Sequence, residues 1–271
     1  MTSVRSSLAA LAVLAGLAAG SAQAATCGND ASGFPAWKEA FRQEARAAGL
    51  SRSLAALDGV TYDSGVIKLD RSQKPFKMSY EAFVKQRLSS GRVSQGKKRM
   101  TQHAALLRQL EQRYGVPGSI LVAIWGMETD YGAVRGNKKA IRSLATLAYD
   151  CRRSAFFKNE LLAALTIVER GRMHPDQMVG GWAGEIGQTQ FLASNYLQFA
   201  VDGDGDGRID VVNSTADVLA STANYLAAHG WRRGAGWHPG EPNFAVITTW
   251  NSSSNYQRTI ARFADILEGR G

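Results

Sequence analysis

Apolar residues recur at three- and four-residue steps along most of the chain, a period that predicts a mainly helical protein. Trp37, Ala40, Phe41, Ala45 and Ala48 mark a first amphipathic segment, which Gly49 closes. Residues 80–88 form a second. A polar break at 89–96 then precedes a long amphipathic helix over 97–114, with Met100, Ala104, Leu107, Leu110 and Tyr114 on one face. Gly115 ends that helix, and Pro117 suits the first turn of the next, which runs from 120 to about 129. Further helices are predicted at 141–149, 154–170, 194–201, 216–229 and 256–267, with Gly171 and Gly230 at C-terminal cap positions. The stretch 59–75 reads differently: Thr61-Tyr62-Asp63 and Val66-Ile67-Lys68-Leu69, set between Gly and Ser, look extended. No internal repeat, low-complexity tract or linker divides the chain.

The N-terminus changes the picture. Arg5 stands in a short polar start, residues 8–19 are apolar, and Ala22-Gln23-Ala24 offers small residues for cleavage, so residues 1–24 read as a signal peptide and 25–271 as a single domain. The apolar run falls short of the roughly 20 residues that cross a bilayer, and Thr26 is a poor residue to precede a lipidated Cys27. The two cysteines, Cys27 and Cys151, both survive processing into an oxidising compartment. A disulfide between them is the simplest reading, with two unpaired thiols as the alternative. Hydrophobic residues at 45% and charged residues at 20% are ordinary for a globular protein. The formal charge of +9 suits anionic envelope polymers and phospholipid surfaces. No zinc-finger spacing or RNA-binding aromatic motif supports nucleic acid as a partner.

Candidate chemistry begins at "AIWGMETDYG", where Glu128 follows an apolar run from Ile120 to Met127. On a helix Glu128 shares a face with Leu121, Ile124 and Trp125. A carboxylic acid against an apolar wall keeps its proton near neutral pH, as a general acid for glycosidic cleavage must. The plainer reading of one Glu at a helix end is a surface residue or ion-pair partner. Two further carboxylates are in play. Asp130 is turned about 200° from Glu128 if the helix continues, and Glu185 sits in the Gly-rich "GWAGEIGQTQF".

The segment "DGDGDGRIDVVN" carries the most specific metal signal. Asp202, Asp204 and Asp206 stand at alternate positions, Gly207 makes the turn, the Arg208 carbonyl follows, and Asp210 comes next. Asn213 replaces the bidentate Glu that ends such loops, so Asp217 is the candidate last ligand. The expected ion is Ca²⁺, in a structural role, with no organic cofactor. Aromatics that could pack on sugar faces include Tyr131, Trp182, Phe191, Tyr196, Tyr225, Trp231, Trp250 and Tyr256, and Gln190 and Asn251 could meet hydroxyls. For any one of these aromatics core packing is the competing reading. The four histidines show no metal or catalytic spacing.

Taken together, "WGMETDYG", "IRSLATLAYD", "RRSAFFKNEL", "GWAGEIGQTQFLASNYLQFAVDGDGDGRID", "ANYLAAHGW" and "WNSSSNY" resemble the B-type lytic murein transglycosylases, over roughly residues 35–268. The resemblance implies a mainly α, lysozyme-like α+β core with an EF-hand-like calcium loop. It implies Glu128 as the single catalytic acid and base, with Gln190, Tyr225 and Tyr256 at the sugar site. The substrate implied is the peptidoglycan glycan strand, cleaved between N-acetylmuramic acid and N-acetylglucosamine to leave 1,6-anhydro ends. A periplasmic monomer is the expected form, with envelope protein partners left open. Three departures stand out. Where the family usually has "GAMGYGQFMPS" this chain has "GEIGQTQFLAS", placing Glu185 for Ala, Ile186 for Met and Ala193 for Pro; Gly181 takes a place often held by Ser; and Trp250-Asn251 stands for "YN". Two other readings compete: a muramidase that hydrolyses the same bond with Glu185 aiding a water, and an inactive calcium-stabilised wall-binding module.

Overall fold

The structure, a computed structural model, describes residues 25–72 and 78–270. The leader expected at residues 1–24 therefore lies outside the described residues. α1 (Phe34–Ala47) takes Pro35 in its first turn and buries Phe34, Trp37, Phe41 and Ala45 along one stripe. Trp37 stacks on both Phe34 and Phe41. Ahead of α1, Cys27 is bonded to Cys151 with Cα atoms 5.0 Å apart, and the Gly28 amide donates to the Tyr149 carbonyl at 2.9 Å.

The segment read as extended from 59 to 75 contains a helix instead, α2 (Ser64–Arg71). Asp63 caps it by accepting the Val66 amide, and Val66 and Asp70, four residues apart, are its buried face. α3 (Tyr80–Arg87) follows. The polar break expected next is itself helical: α4 (Ser90–Gln102) is capped by Ser89, and α5 (Ala104–Tyr114) starts after a kink at His103. Gly96, which suggested a break, is buried inside α4. A Cβ there would stand 2.7 Å from Tyr131 Oη and 2.8 Å from Leu267 Cδ2, so glycine is what lets the helices approach.

α6 (Gly118–Thr129) is the axis of the fold, since every residue in it except Glu128 is buried. A helix apolar on all sides has to be surrounded. α4, α5, α10 (Thr215–Ala228) and above all α12 (Ser254–Leu267) supply that surround. α7 (Ala140–Tyr149) packs on α8 (Ser154–Glu169), which packs in turn on α9 (Ala193–Phe199). α11 (Pro242–Trp250) has no counterpart among the helices predicted from periodicity. Its run of Val246, Ile247, Thr248 and Thr249 is rich in β-branched residues, which weaken a helical signal.

The described strands are one short antiparallel pair, β1 (Lys138–Lys139) and β2 (Val179–Gly180), with Lys138 opposite Gly180. After β2 the Gly-rich segment folds back on itself. Gly180 bridges to Ile186, and Ile186 and Phe191 exchange both backbone hydrogen bonds at 2.9 Å. No helix among the described residues is long and apolar enough to cross a membrane.

Candidate active site

The C-terminal turn of α6 delivers Glu128 to the wall of a cavity of 270 Å³. The helix stops immediately afterwards, with Asp130 in the left-handed region at φ 49°. Asp130 is thereby turned to Arg92, whose Nε donates to it at 2.5 Å, and takes no part in the cavity. Glu128 is half-buried. Its Oε1 accepts two hydrogen bonds, from Tyr256 Oη at 2.7 Å and Trp250 Nε1 at 3.0 Å. α12 brings the tyrosine and the end of α11 brings the indole. Burial raises the Glu128 pKa above the usual glutamate value, the two donors pull it back, and the negative Glu185 adds to the rise. The phenol of Tyr256 is held well above its ordinary pKa by burial and by Glu128, so it remains a donor.

The folded Gly-rich segment contributes Glu185, Gln190, Phe191 and Leu192 to the lining of the same cavity. Gln190 has a positive φ of 55°, and its Nε2 donates to the Gly187 carbonyl at 2.9 Å and the Arg135 carbonyl at 3.2 Å. Phe191, Tyr225 and Trp250 meet edge to face, with Tyr225 and Trp250 centroids 5.0 Å apart. The Tyr225 hydroxyl donates to the Thr249 carbonyl at 2.8 Å, which fixes the ring beside the cavity. Asn251 lines it too, while its Oδ1 accepts the Ser253 amide.

The structure thus gathers Glu128, Gln190, Phe191, Tyr225 and Asn251 around one space. Tyr256 stands behind the acid as its hydrogen-bond donor. Trp182 is half-buried against the core and is not among the residues lining this cavity. Reading the sequence missed the role of Trp250, whose link to Glu128 spans 122 residues and leaves no periodic trace.

In the Asp-rich loop, oxygens of Asp202, Asp204 and Asp217 lie within 4.8 Å of one another. Asp217 is buried in the first turn of α10 and accepts the Gly203 and Asp210 amides. Burial raises its pKa, and the negative Asp204 and Asp202 add to the rise. Three acidic oxygens converging around a half-buried position fit a hard cation such as Ca²⁺. The expected ligand set is narrower here: Asp206 is turned to the Arg208 amide at 2.7 Å and lies outside the cluster, and Asp210 is turned to the Val212 and Asn213 amides. The loop connects to α6 through Gln188, whose amide donates to the Val211 carbonyl while its Oε1 accepts the Trp125 indole at 2.8 Å.

Comparisons with known proteins bear on the family and the fold. The transglycosylase SLT domain family matches residues 33–240. Membrane-bound lytic murein transglycosylase B of Escherichia coli (strain K12) is 39% identical over 150 residues, which are 52% of this chain and 41% of that protein. The match therefore spans about two fifths of that relative's length. Among solved structures, SltB3 from Pseudomonas aeruginosa in complex with NAG-NAM-pentapeptide superposes with a TM-score of 0.83 at 36% identity, covering 87% of this chain and 80% of that one. Escherichia coli SLT35 in complex with calcium gives a TM-score of 0.77 at 26% identity, covering 91% and 97%. The mainly helical, lysozyme-like fold is common to all of them, and the chain belongs to the transglycosylase SLT domain family.

Proposed function

We propose that the protein is a lytic murein transglycosylase that cleaves the β-1,4 bond between N-acetylmuramic acid and N-acetylglucosamine in peptidoglycan and leaves 1,6-anhydro ends. One observation carries the reading: a half-buried carboxyl, Glu128, faces a cavity with both of its protein donors on the same oxygen. Oε1 is engaged by Tyr256 and Trp250, so the acidic proton belongs on Oε2. In the first step Glu128 gives that proton to the glycosidic oxygen as the bond to C1 breaks. In the second the same carboxylate takes the proton of the muramoyl C6 hydroxyl, whose oxygen closes on C1. Water is not consumed, and the acid is restored.

Gln190 and Asn251 meet polar groups of the strand in this reading, and Phe191 and Tyr225 present aromatic surface to sugar faces. Asp202, Asp204 and Asp217 hold Ca²⁺, whose part is to neutralise their charge and fix the loop whose Val211 carbonyl holds Gln188. The leader and the Cys27–Cys151 bond both point to export, with the periplasm as the workplace and the chain acting as a monomer. A hydrolytic variant of the reaction has one observation in its favour, the second carboxyl, Glu185, in the same cavity.

The test is mass spectrometry of soluble products after incubating purified peptidoglycan with the mature protein and with its Glu128→Gln variant. Anhydro-muropeptides from the wild type alone are expected. Hydrated ends would replace the lyase with a hydrolase, and no products from either protein would favour a wall-binding module.

A further inference from the structure

Two departures from the family pattern, Gly181 in a place often held by Ser and Glu185 in the place of Ala, are four residues apart in sequence. The fold brings them together. A Cβ built on Gly181 would collide with Glu185 Oε2 and stand 2.8 Å from Gln190 Oε1. The carboxyl of Glu185 therefore occupies the space that any side chain at 181 would need, and the two departures are one compensated change.

The carboxyl is also held in place. Its Oε2 accepts the Ala183 amide at 3.0 Å, and the backbone on either side is clamped by the Gly180 and Phe191 bridges to Ile186. Gln190 gives its amide hydrogens to the Arg135 and Gly187 carbonyls, which leaves its Oε1 pointing at the same space. Two acceptor oxygens, from residues that line the cavity with Glu128, thus converge beside Gly181. Acceptors paired in this way select a hydrogen-bond donor, and amino sugars carry such donors in the acetamido N–H and the ring hydroxyls.

We propose that Glu185 is a substrate-binding residue: its carboxyl, with the Gln190 carbonyl, accepts hydrogen bonds from the acetamido N–H or hydroxyl groups of an amino-sugar strand, and Gly181 is the opening that admits it. The inference rests on the reading of this cavity as a glycan-cleaving site. Burial raises the Glu185 pKa against the lowering by backbone hydrogen bonds and Arg153, and a carboxyl keeps an acceptor oxygen in either form.

The coupling gives the experiment its logic. Glu185→Met keeps the length of the side chain and removes both carboxyl oxygens, including the Oε2 that converges with Gln190 Oε1. KM on purified peptidoglycan should rise about tenfold or more, the scale of one hydrogen bond to a charged group, while kcat changes far less. Gly181→Ser should match that loss by displacing the carboxyl, and it should add nothing once Glu185→Ala is present. In parallel, calorimetry with a tetrasaccharide of N-acetylglucosamine reads binding without turnover, in the Glu128→Gln background. Thermal unfolding of each variant separates binding loss from misfolding, and the double variant Gly181→Ser/Glu185→Ala, which removes the collision, keeps the test open if one single variant is unstable.

An active wild type whose Glu185→Met variant keeps both KM and tetrasaccharide affinity would overturn the proposal, as would a Gly181→Ser loss of equal size with and without Glu185. An inactive wild type would instead overturn the proposed function. The calorimetric comparison would then still decide whether Glu185 binds sugar.

Discussion

The hydroxyl of Tyr256 donates to Glu128 Oε1 at 2.7 Å, on the same oxygen that receives the Trp250 indole. Two neutral donors on one carboxyl oxygen do two things. They fix the plane of the carboxyl and they stabilise its ionised form, against a burial that favours the acid. The rise in the Glu128 pKa is what remains of that opposition.

Replacing Tyr256 by Phe removes one side of it. The Glu128 pKa should move further up, because a hydrogen bond that lowers it is gone. The alkaline limb of the kcat/KM profile, which reports the acid in the free enzyme, should shift to higher pH. The maximal rate should fall about tenfold or more as the carboxyl loses its fixed plane. An alkaline limb that stays put or moves down would show that Tyr256 does not tune the acid.

Glu128→Gln has a consequence for stability as well as for rate. A glutamate whose folded pKa lies above its unfolded value contributes stability that is fully present below the unfolded pKa and is lost as pH rises through the folded one. The variant lacks this dependence. Its Tm relative to wild type should therefore rise as pH passes from the unfolded glutamate pKa up through the folded one and level off above it, while its rate falls on the order of 10² or more for want of the proton. Parallel Tm curves for the two proteins would mean that burial does not perturb this carboxyl.

The acidic loop predicts a thermal response to metal. Adding Ca²⁺ should raise Tm with concentration, and chelation should lower it, with about 2.7 kcal/mol of stabilisation at a hundredfold excess over Kd. Asp204 is exposed and caps no helix. Asp204→Asn should therefore fold, yet respond weakly to the ion. Identical melting curves across a calcium titration of the wild type would retire the assignment.

The Cys27–Cys151 bond closes a loop with a sequence separation of 124. Replacing both cysteines by Ser should lower stability by about 2–5 kcal/mol, read by denaturant unfolding. The loss should be felt at Trp37 fluorescence, because the tethered segment lies against Tyr149, which touches Trp37 at 5.8 Å between centroids. An unchanged midpoint would mean that the N-terminal segment is held without the bond.

Most helices were legible because each has one apolar face, and α6 was legible because it has nothing else. The failures have local causes. Val66-Ile67-Lys68-Leu69 is too short a run to reveal a period, and the useful signal was Asp63 as a cap. Gly96 looked like an interruption, yet it is the contact point between α4 and the Tyr131–Leu267 surface, which only the tertiary fold explains. At the site, Glu128 could be singled out by its apolar run. Tyr256 was one of several candidate aromatics until the family resemblance singled it out, and Trp250 as a donor came from neither. The metal loop was read from spacing, with Asp217 as its candidate last ligand, but spacing could not tell that Asp206 bonds locally and lies outside the cluster.

The burial of α6 on every side but one has a bearing on how variants of this protein are to be interpreted. Eleven of its positions are tuned for volume, so substitutions there report on folding whatever assay is used. A genetic screen for inactive proteins would fill with such changes and point, misleadingly, to the whole helix as machinery. Glu128 is the one site along α6 where soluble, well-folded protein without activity can be obtained, and that combination separates a lesion in chemistry from a lesion in architecture.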